Sequence, residues 1–207
     1  MRPKYLALAE HYDRCFHRFG DSHRGVDWPS DVDATTRHRI MAEFIGNDAP
    51  SVLDFGCGAG HFLDYLILNN YDVEYWGLDV NTSYVHHCRN KYHDQSNANF
   101  ILGDVIENPG LVPLIDFVVA NGTFTEKLVL SDDEMWAFMQ KCISPLWRSC
   151  RKGIAFNVMS KVVDWEREDL FHVSMDRLAL YLRSDLSRNF QFRHDYGLYE
   201  FTAYVYK

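Results

Sequence analysis

The stretch that most constrains this chain is Leu53-Asp54-Phe55-Gly56-Cys57-Gly58-Ala59-Gly60. A short apolar run from Ser51 stops at a turn with glycine at every second position, and a helical pattern follows from His61. Glycine lets the backbone bend sharply there and lets a ligand come within contact distance of the main chain. A strand that feeds a helix through such a turn belongs in a parallel sheet with helices on its faces.

The same alternation continues downstream. Strands are predicted over 73–78, 99–102, 116–120 and 153–159. Helices fill the gaps, one capped by Asn81 or Thr82 and one opened by the capping box Ser131-Asp132-Asp133-Glu134 and running to about Cys150. A further helix is expected over 174–186. Two last strands, 190–193 and 199–206, are joined by only a few residues and so must pair antiparallel. The expectation is an α/β, Rossmann-like, doubly wound sheet of seven strands, mostly parallel, with a C-terminal antiparallel hairpin. Residues 1–50 read differently: two helical stripes, with Tyr5, Leu8, Tyr12 and Phe16 on the first and Ile40, Met41 and Phe44 on the second, separated by a loop over 22–30. They are expected to be a helical cap within the same domain as the cofactor fold of 51–207.

In an open parallel sheet the ligand crevice lies outside the carboxyl ends of the strands. Three strand ends carry acids. Asp54 stands two residues before the first glycine, Asp79 ends the second strand, and Asp104 follows Gly103 at the end of the third. Asp79 is placed to take both ribose hydroxyls of a nucleoside and Asp104 to accept from the exocyclic amine of adenine. Asp54 would repel a pyrophosphate but attract the amino group of a sulfonium amino acid. A nicotinamide fingerprint also needs a glycine three residues after Gly58, where this chain has the bulky His61.

At these residues the chain resembles the class I S-adenosylmethionine-dependent methyltransferases. The glycine turn looks like their first motif, Asp79 and Asp104 match their second and third acidic positions, and the closing hairpin is also theirs. The resemblance covers roughly 51–207. Gly25-Val26-Asp27-Trp28 and the stretch from Arg193 to Phe201 resemble, more narrowly, a group of small bacterial methyltransferases. The resemblance implies S-adenosylmethionine as cofactor, held by Asp54, Gly56, Cys57, Gly58, Gly60, Asp79 with Val80, Asp104 with Val105, Asn121 and Trp28. Asn121 stands where methyltransferases of nucleic-acid base amines carry an acidic or amide residue, but the two prolines that follow in those enzymes are absent here.

Methyl transfer from a sulfonium is an in-line displacement in which positioning does most of the work. A general base helps acceptors that must lose a proton. Topology places the turn after the 190–193 strand on the same side as the crevice, so His194 and Tyr196, with Asn121, are the candidate catalytic residues. Tyr12, Phe19 and Trp28 are candidates to shield the sulfonium with their ring faces. Arg37 or Arg24 is a candidate for the methionine carboxylate. His11, His17 and His23 read as ordinary surface or packing residues.

Lys plus Arg number 21 against 29 Asp plus Glu, a net charge of −8, which argues against a protein that grips nucleic acid by broad charge. No apolar run is long enough to span a membrane, and Met1 to Glu10 lacks a signal-peptide core. The five cysteines show no zinc or redox spacing, so no metal is expected and free thiols in a reducing cytoplasm are the reading. The expected activity is methyl transfer to an O or N atom of a small-molecule acceptor. An enzyme acting on RNA or protein, and a binding module that keeps the cofactor without turnover, stay open as alternatives.

Overall fold

The computed structural model describes residues 3–207. Its centre is a sheet of eight strands: β1 (Ser51–Phe55), β2 (Glu74–Asp79), β3 (Ala98–Leu102), β4 (Ile115–Ala120), β5 (Cys150–Ser160), β6 (His172–Val173), β7 (Phe190–Arg193) and β8 (Glu200–Tyr206). The order is β3-β2-β1-β4-β5-β8-β7, with β6 beside the end of β5. All pairings are parallel except those of β8, which runs antiparallel to both β5 and β7. The chain leaves β1 toward β2 on one side and later returns to β4 on the other. A crevice therefore opens between the ends of β1 and β4.

Helices α1 (Leu6–Phe19) and α2 (Asp31–Ile45) precede the sheet. Helices α3 (His61–Leu68), α4 (Thr82–Lys91), α5 (Asp132–Ser149) and α6 (Met175–Tyr181) alternate with its strands. Adjacent residues on each central strand feed opposite layers, as the two-residue period of a strand requires. Leu53 and Val118 join the layer of α5 and α6, whereas Val52 and Val119 join that of α2, α3 and α4. Strand β1 is buried along its whole length, which explains its unbroken apolar sequence.

Three expectations are corrected. The sheet has eight strands rather than seven, because the two-residue β6 is too short to leave a periodic signature. The 22–30 loop holds a 3-10 turn, His23–Val26, capped by Ser22. The helix expected over 174–186 is α-helical only to Tyr181 and then widens into a π turn, Leu182–Leu186. The helix opened by Ser131 runs to Ser149 with Cys150 as its C-cap, as expected, and Cys150 also opens β5. No helix among the described residues is long and apolar enough to cross a membrane.

Candidate active site

The glycine turn forms the floor of the crevice. Gly56 sits at φ 76°, and a Cβ there would meet Thr123 Oγ1 at 2.5 Å, so only glycine fits. Thr123 is fixed in turn by donating to the Phe55 carbonyl at 2.9 Å. The backbone N–H of Gly58 donates to Asp79 Oδ2 at 3.0 Å, and that of Asn81 to Oδ1 at 2.8 Å. Asp79 is thus held in one orientation by the turn it faces. Burial still raises its carboxyl above the ordinary range, with those backbone N–H groups pulling the other way.

Beneath the turn, Tyr75 O–H donates to Asp54 Oδ2 at 2.7 Å. Asp54 is 3% exposed and has no cationic partner among the described residues, and burial pushes it up to about 7, with the nearby Asp79 charge adding to the rise. At the β3 end, Asp104 accepts from the Ile106 N–H at 2.8 Å and from the Tyr5 hydroxyl at 2.7 Å. Tyr5 also stacks on Phe138 with ring centroids 5.1 Å apart, and both rings line the crevice with Leu8 and Val105. This end is flat, apolar and edged by a carboxylate, the chemistry that suits an adenine ring.

The roof comes from the N-terminal segment. Tyr12 of α1, Val26 of the 3-10 turn and Trp28 all line the crevice. Trp28 lies against Gly122 and tilts over His38, ring centroids 5.2 Å apart. Burial depresses His38 to about 3, so this wall of the crevice carries a neutral imidazole. On the far wall, both side-chain polar atoms of Asn121 are buried without a partner. Such orphaned groups cost free energy unless a ligand or water meets them. The turn that presents Asn121 is braced from behind. Gly122 N–H donates to Asn157 Oδ1, Asn157 Nδ2 donates to Glu200 Oε1, and Arg37 Nε donates to Glu200 Oε2, at 2.7, 2.8 and 2.8 Å.

Glu126 lies further along the same loop, and its backbone pairs with Leu170. It lines the crevice and accepts from the Tyr12 hydroxyl at 3.0 Å. Burial and the nearby Asp27 charge raise its carboxyl above the ordinary range.

The structure brings together at one crevice Asp54, Gly56, Cys57, Gly58, Asp79, Val80, Asp104, Val105, Asn121 and Trp28. Gly60 lies just behind, at φ 80°, under the Tyr92 ring. His194 and Tyr196 are not in the lining. His194 is exposed, and Tyr196 bonds its hydroxyl to Thr202 Oγ1 at 3.0 Å and packs on the α2 and α3 layer. The hairpin turn emerges on the correct side of the sheet, but β8 and β7 lie beyond β5 and carry it outward. Phe19 is outside too, at 38% exposure, while Arg37 is engaged by Glu200 and Arg24 is exposed. Sequence reasoning did not single out His38, Glu126, Tyr5 or Phe138 as site residues. The sole hint was that Tyr5 begins the α1 stripe and Glu126 follows Asn121 in a strand-end loop.

A family model described as a methyltransferase domain matches residues 52–147. A Mycobacterium tuberculosis protein, by name a methyltransferase, is 32% identical over 162 residues, 77% of this chain and 95% of that one. Among solved structures, a Burkholderia thailandensis 1,6-didemethyltoxoflavin-N1-methyltransferase, with its bound 1,6-didemethyltoxoflavin and S-adenosylhomocysteine, superposes with a TM-score of 0.69 at 16% identity. That match covers 100% of this chain and 91% of the other. An S-adenosylmethionine-dependent methyltransferase from Aquifex aeolicus gives 0.60 at 20% identity, covering 87% and 94%. With the strand-end acids, the glycine turn and the antiparallel hairpin in place, this chain belongs to the class I S-adenosylmethionine-dependent methyltransferase superfamily.

Proposed function

We propose that the chain methylates an O or N atom of a small molecule held between Asn121, Trp28 and Glu126, with the cofactor laid across the ends of β1, β2 and β3. The observation that carries this is the orphaned amide of Asn121, a residue that lines the same crevice as Trp28 and Glu126. Asp79 takes the ribose hydroxyls, Asp104 and Val105 the adenine, and Asp54 the amino group. The backbone of Gly56, Cys57, Gly58 and Gly60 lets the methionine moiety approach, and Val80 packs beside the ribose.

In the transfer step the acceptor heteroatom attacks the methyl carbon, the new bond to carbon forms as the carbon–sulfur bond breaks, and S-adenosylhomocysteine leaves. The acceptor proton passes to Glu126, which replaces His194 and Tyr196 as the base of this reading. Burial raises this carboxyl above its ordinary range and so makes it a stronger proton acceptor. No Lys or Arg lines the crevice among the described residues, so its walls favour a neutral or cationic acceptor over a phosphate-bearing one. The roof of α1 and the 3-10 turn leaves the space of a small molecule.

The test is transfer of labelled methyl from S-adenosylmethionine into a bacterial extract separated by dialysis. Label in a dialysable product that separates from the cofactor by chromatography, and that forms only when the protein is added, supports the reading. Label confined to protein or RNA would overturn it.

A further inference from the structure

We propose that His11, Cys15 and Asp27 form a binding site for a divalent transition-metal ion of the zinc type, one that ties α1 to the turn closing over the crevice. His11 and Cys15 are four residues apart on α1 and so share one face. Asp27 reaches them from the end of the 3-10 turn. One ligand atom from each lies within 4.8 Å of the other two.

The spacings suit the ion. Zinc bonds nitrogen and oxygen at about 2.0–2.2 Å and sulfur at about 2.3 Å, so the edges of its tetrahedron are about 3.6 Å for N to S and 3.4 Å for N to O. His11 Nε2 to Cys15 Sγ is 3.6 Å. His11 Nε2 to Asp27 Oδ2 is 2.5 Å, the contact of an ion pair, and a rotation of the Asp27 side chain by under about 1 Å opens it to the metal distance. Imidazole, thiolate and carboxylate are the mixed set that zinc accepts, and three protein ligands leave a fourth position open.

The charge around the site points the same way. Asp27 and Glu126 both place negative charge near the Cys15 sulfur, with Arg14 and Arg18 opposing them. Neither carboxylate is in an ion pair with Lys or Arg among the described residues. A cation answers that excess: the Cys15 thiol gives its proton to solvent and the sulfur–metal bond forms, with no change of oxidation state. The consequence is mechanical. Tyr12 and Glu126 lie beside the site and Val26 and Trp28 flank Asp27, so the ion would tie α1 to the turn that roofs the crevice.

A His11–Asp27 ion pair bracing the turn, with Cys15 a bystander, accounts for the same contact and predicts no metal. The untagged chain, freed of metal with a chelator, is titrated with Co²⁺ and then Zn²⁺, with no S-adenosylmethionine present, so the result is independent of the cofactor reading. The expected result is one equivalent of Co²⁺ bound with a thiolate-to-metal charge-transfer absorption, which Zn²⁺ abolishes by displacement. Cys15→Ser should lose that absorption, and Cys15→Ser and Asp27→Asn should each weaken Zn²⁺ binding at least tenfold. Even removing an outer partner of a metal ligand typically costs about 10–100-fold. Both variants alter half-buried side chains, and circular dichroism confirms that they fold. Absence of saturable binding by the folded wild-type chain, or a thiolate band that survives Cys15→Ser, overturns the site.

Discussion

The Tyr75 hydroxyl meets the Asp54 carboxyl at 2.7 Å within the sheet, directly below the glycine turn. Tyr75 is fully buried, so this contact fixes the orientation of the Asp54 carboxyl, which the proposed function assigns to the ligand amino group. Without that ammonium, burial keeps the Asp54 proton until about pH 7. Binding a cationic amino group lowers that value and releases the proton. Affinity for S-adenosylhomocysteine should therefore rise between about pH 6 and pH 7.5, and level off where the ligand amine begins to lose its own proton. Calorimetry in buffers of differing ionisation enthalpy reads the released proton directly. Asp54→Asn should abolish both the slope and the release.

The same group sets a stability trend. In the unfolded chain the Asp54 carboxyl ionises near its ordinary value, whereas in the fold it stays protonated to about 7. Its contribution is complete at low pH and is lost as pH rises through about 7. Thermal melts of the ligand-free wild type and of Asp54→Asn should diverge as pH rises from about 5 to 8, with the variant the more stable at the alkaline end. The comparison between the two is needed because His38, depressed to about 3, works in the opposite direction in both.

Gly56→Ala adds a methyl group 2.5 Å from Thr123 Oγ1 at a backbone φ of 76°. Such strain and overpacking cost about 1–3 kcal/mol, read as a lower denaturation midpoint. Adding Thr123→Ala to that variant removes the clash but not the backbone cost, and should restore part of the loss.

Glu200 is 1% exposed and holds Arg37 on one oxygen and Asn157 on the other. Glu200→Ala leaves the Arg37 charge buried and uncompensated, and should cost about 3–5 kcal/mol in urea unfolding. Glu200→Gln keeps the Asn157 contact and should cost less.

Glu126→Gln should separate binding from turnover. Loss of a general base slows transfer by about 10²–10⁴-fold once an acceptor is in hand. Affinity for S-adenosylhomocysteine should stay within a few-fold of wild type, because the proposed function places Glu126 against the acceptor and not the cofactor.

Most of the sheet was legible because its signals are local. The apolar run of β1 ends at glycines that must adopt positive φ, and the Ser131 capping box appears as the spacing requires. The acids at the ends of β1 and β2 were legible for the same reason, each standing at a strand boundary. The acceptor side was legible only in part: Asn121 and Trp28 stood out and line the crevice, but distant contacts decide the rest. Nothing in the sequence near Tyr196 shows that its hydroxyl goes to Thr202, or that Arg37 is claimed by Glu200 from across the chain. Glu126 is held in place by the β-bridge to Leu170, and β6 beyond it is too short to announce itself.

The cofactor site is tested most directly by calorimetry of S-adenosylhomocysteine against wild type and Asp79→Ala. Asp79 is fixed by Gly58 and Asn81, so its substitution removes hydrogen bonds to ribose made by a charged group. Such bonds are worth about 1.5–3 kcal/mol, which is roughly 10- to 150-fold in affinity. The expected result is one equivalent bound by wild type, and a loss of that size in a variant that still folds. No binding to the folded wild-type chain, or an Asp79→Ala that binds as wild type does, would contradict the placement of the cofactor across these strand ends.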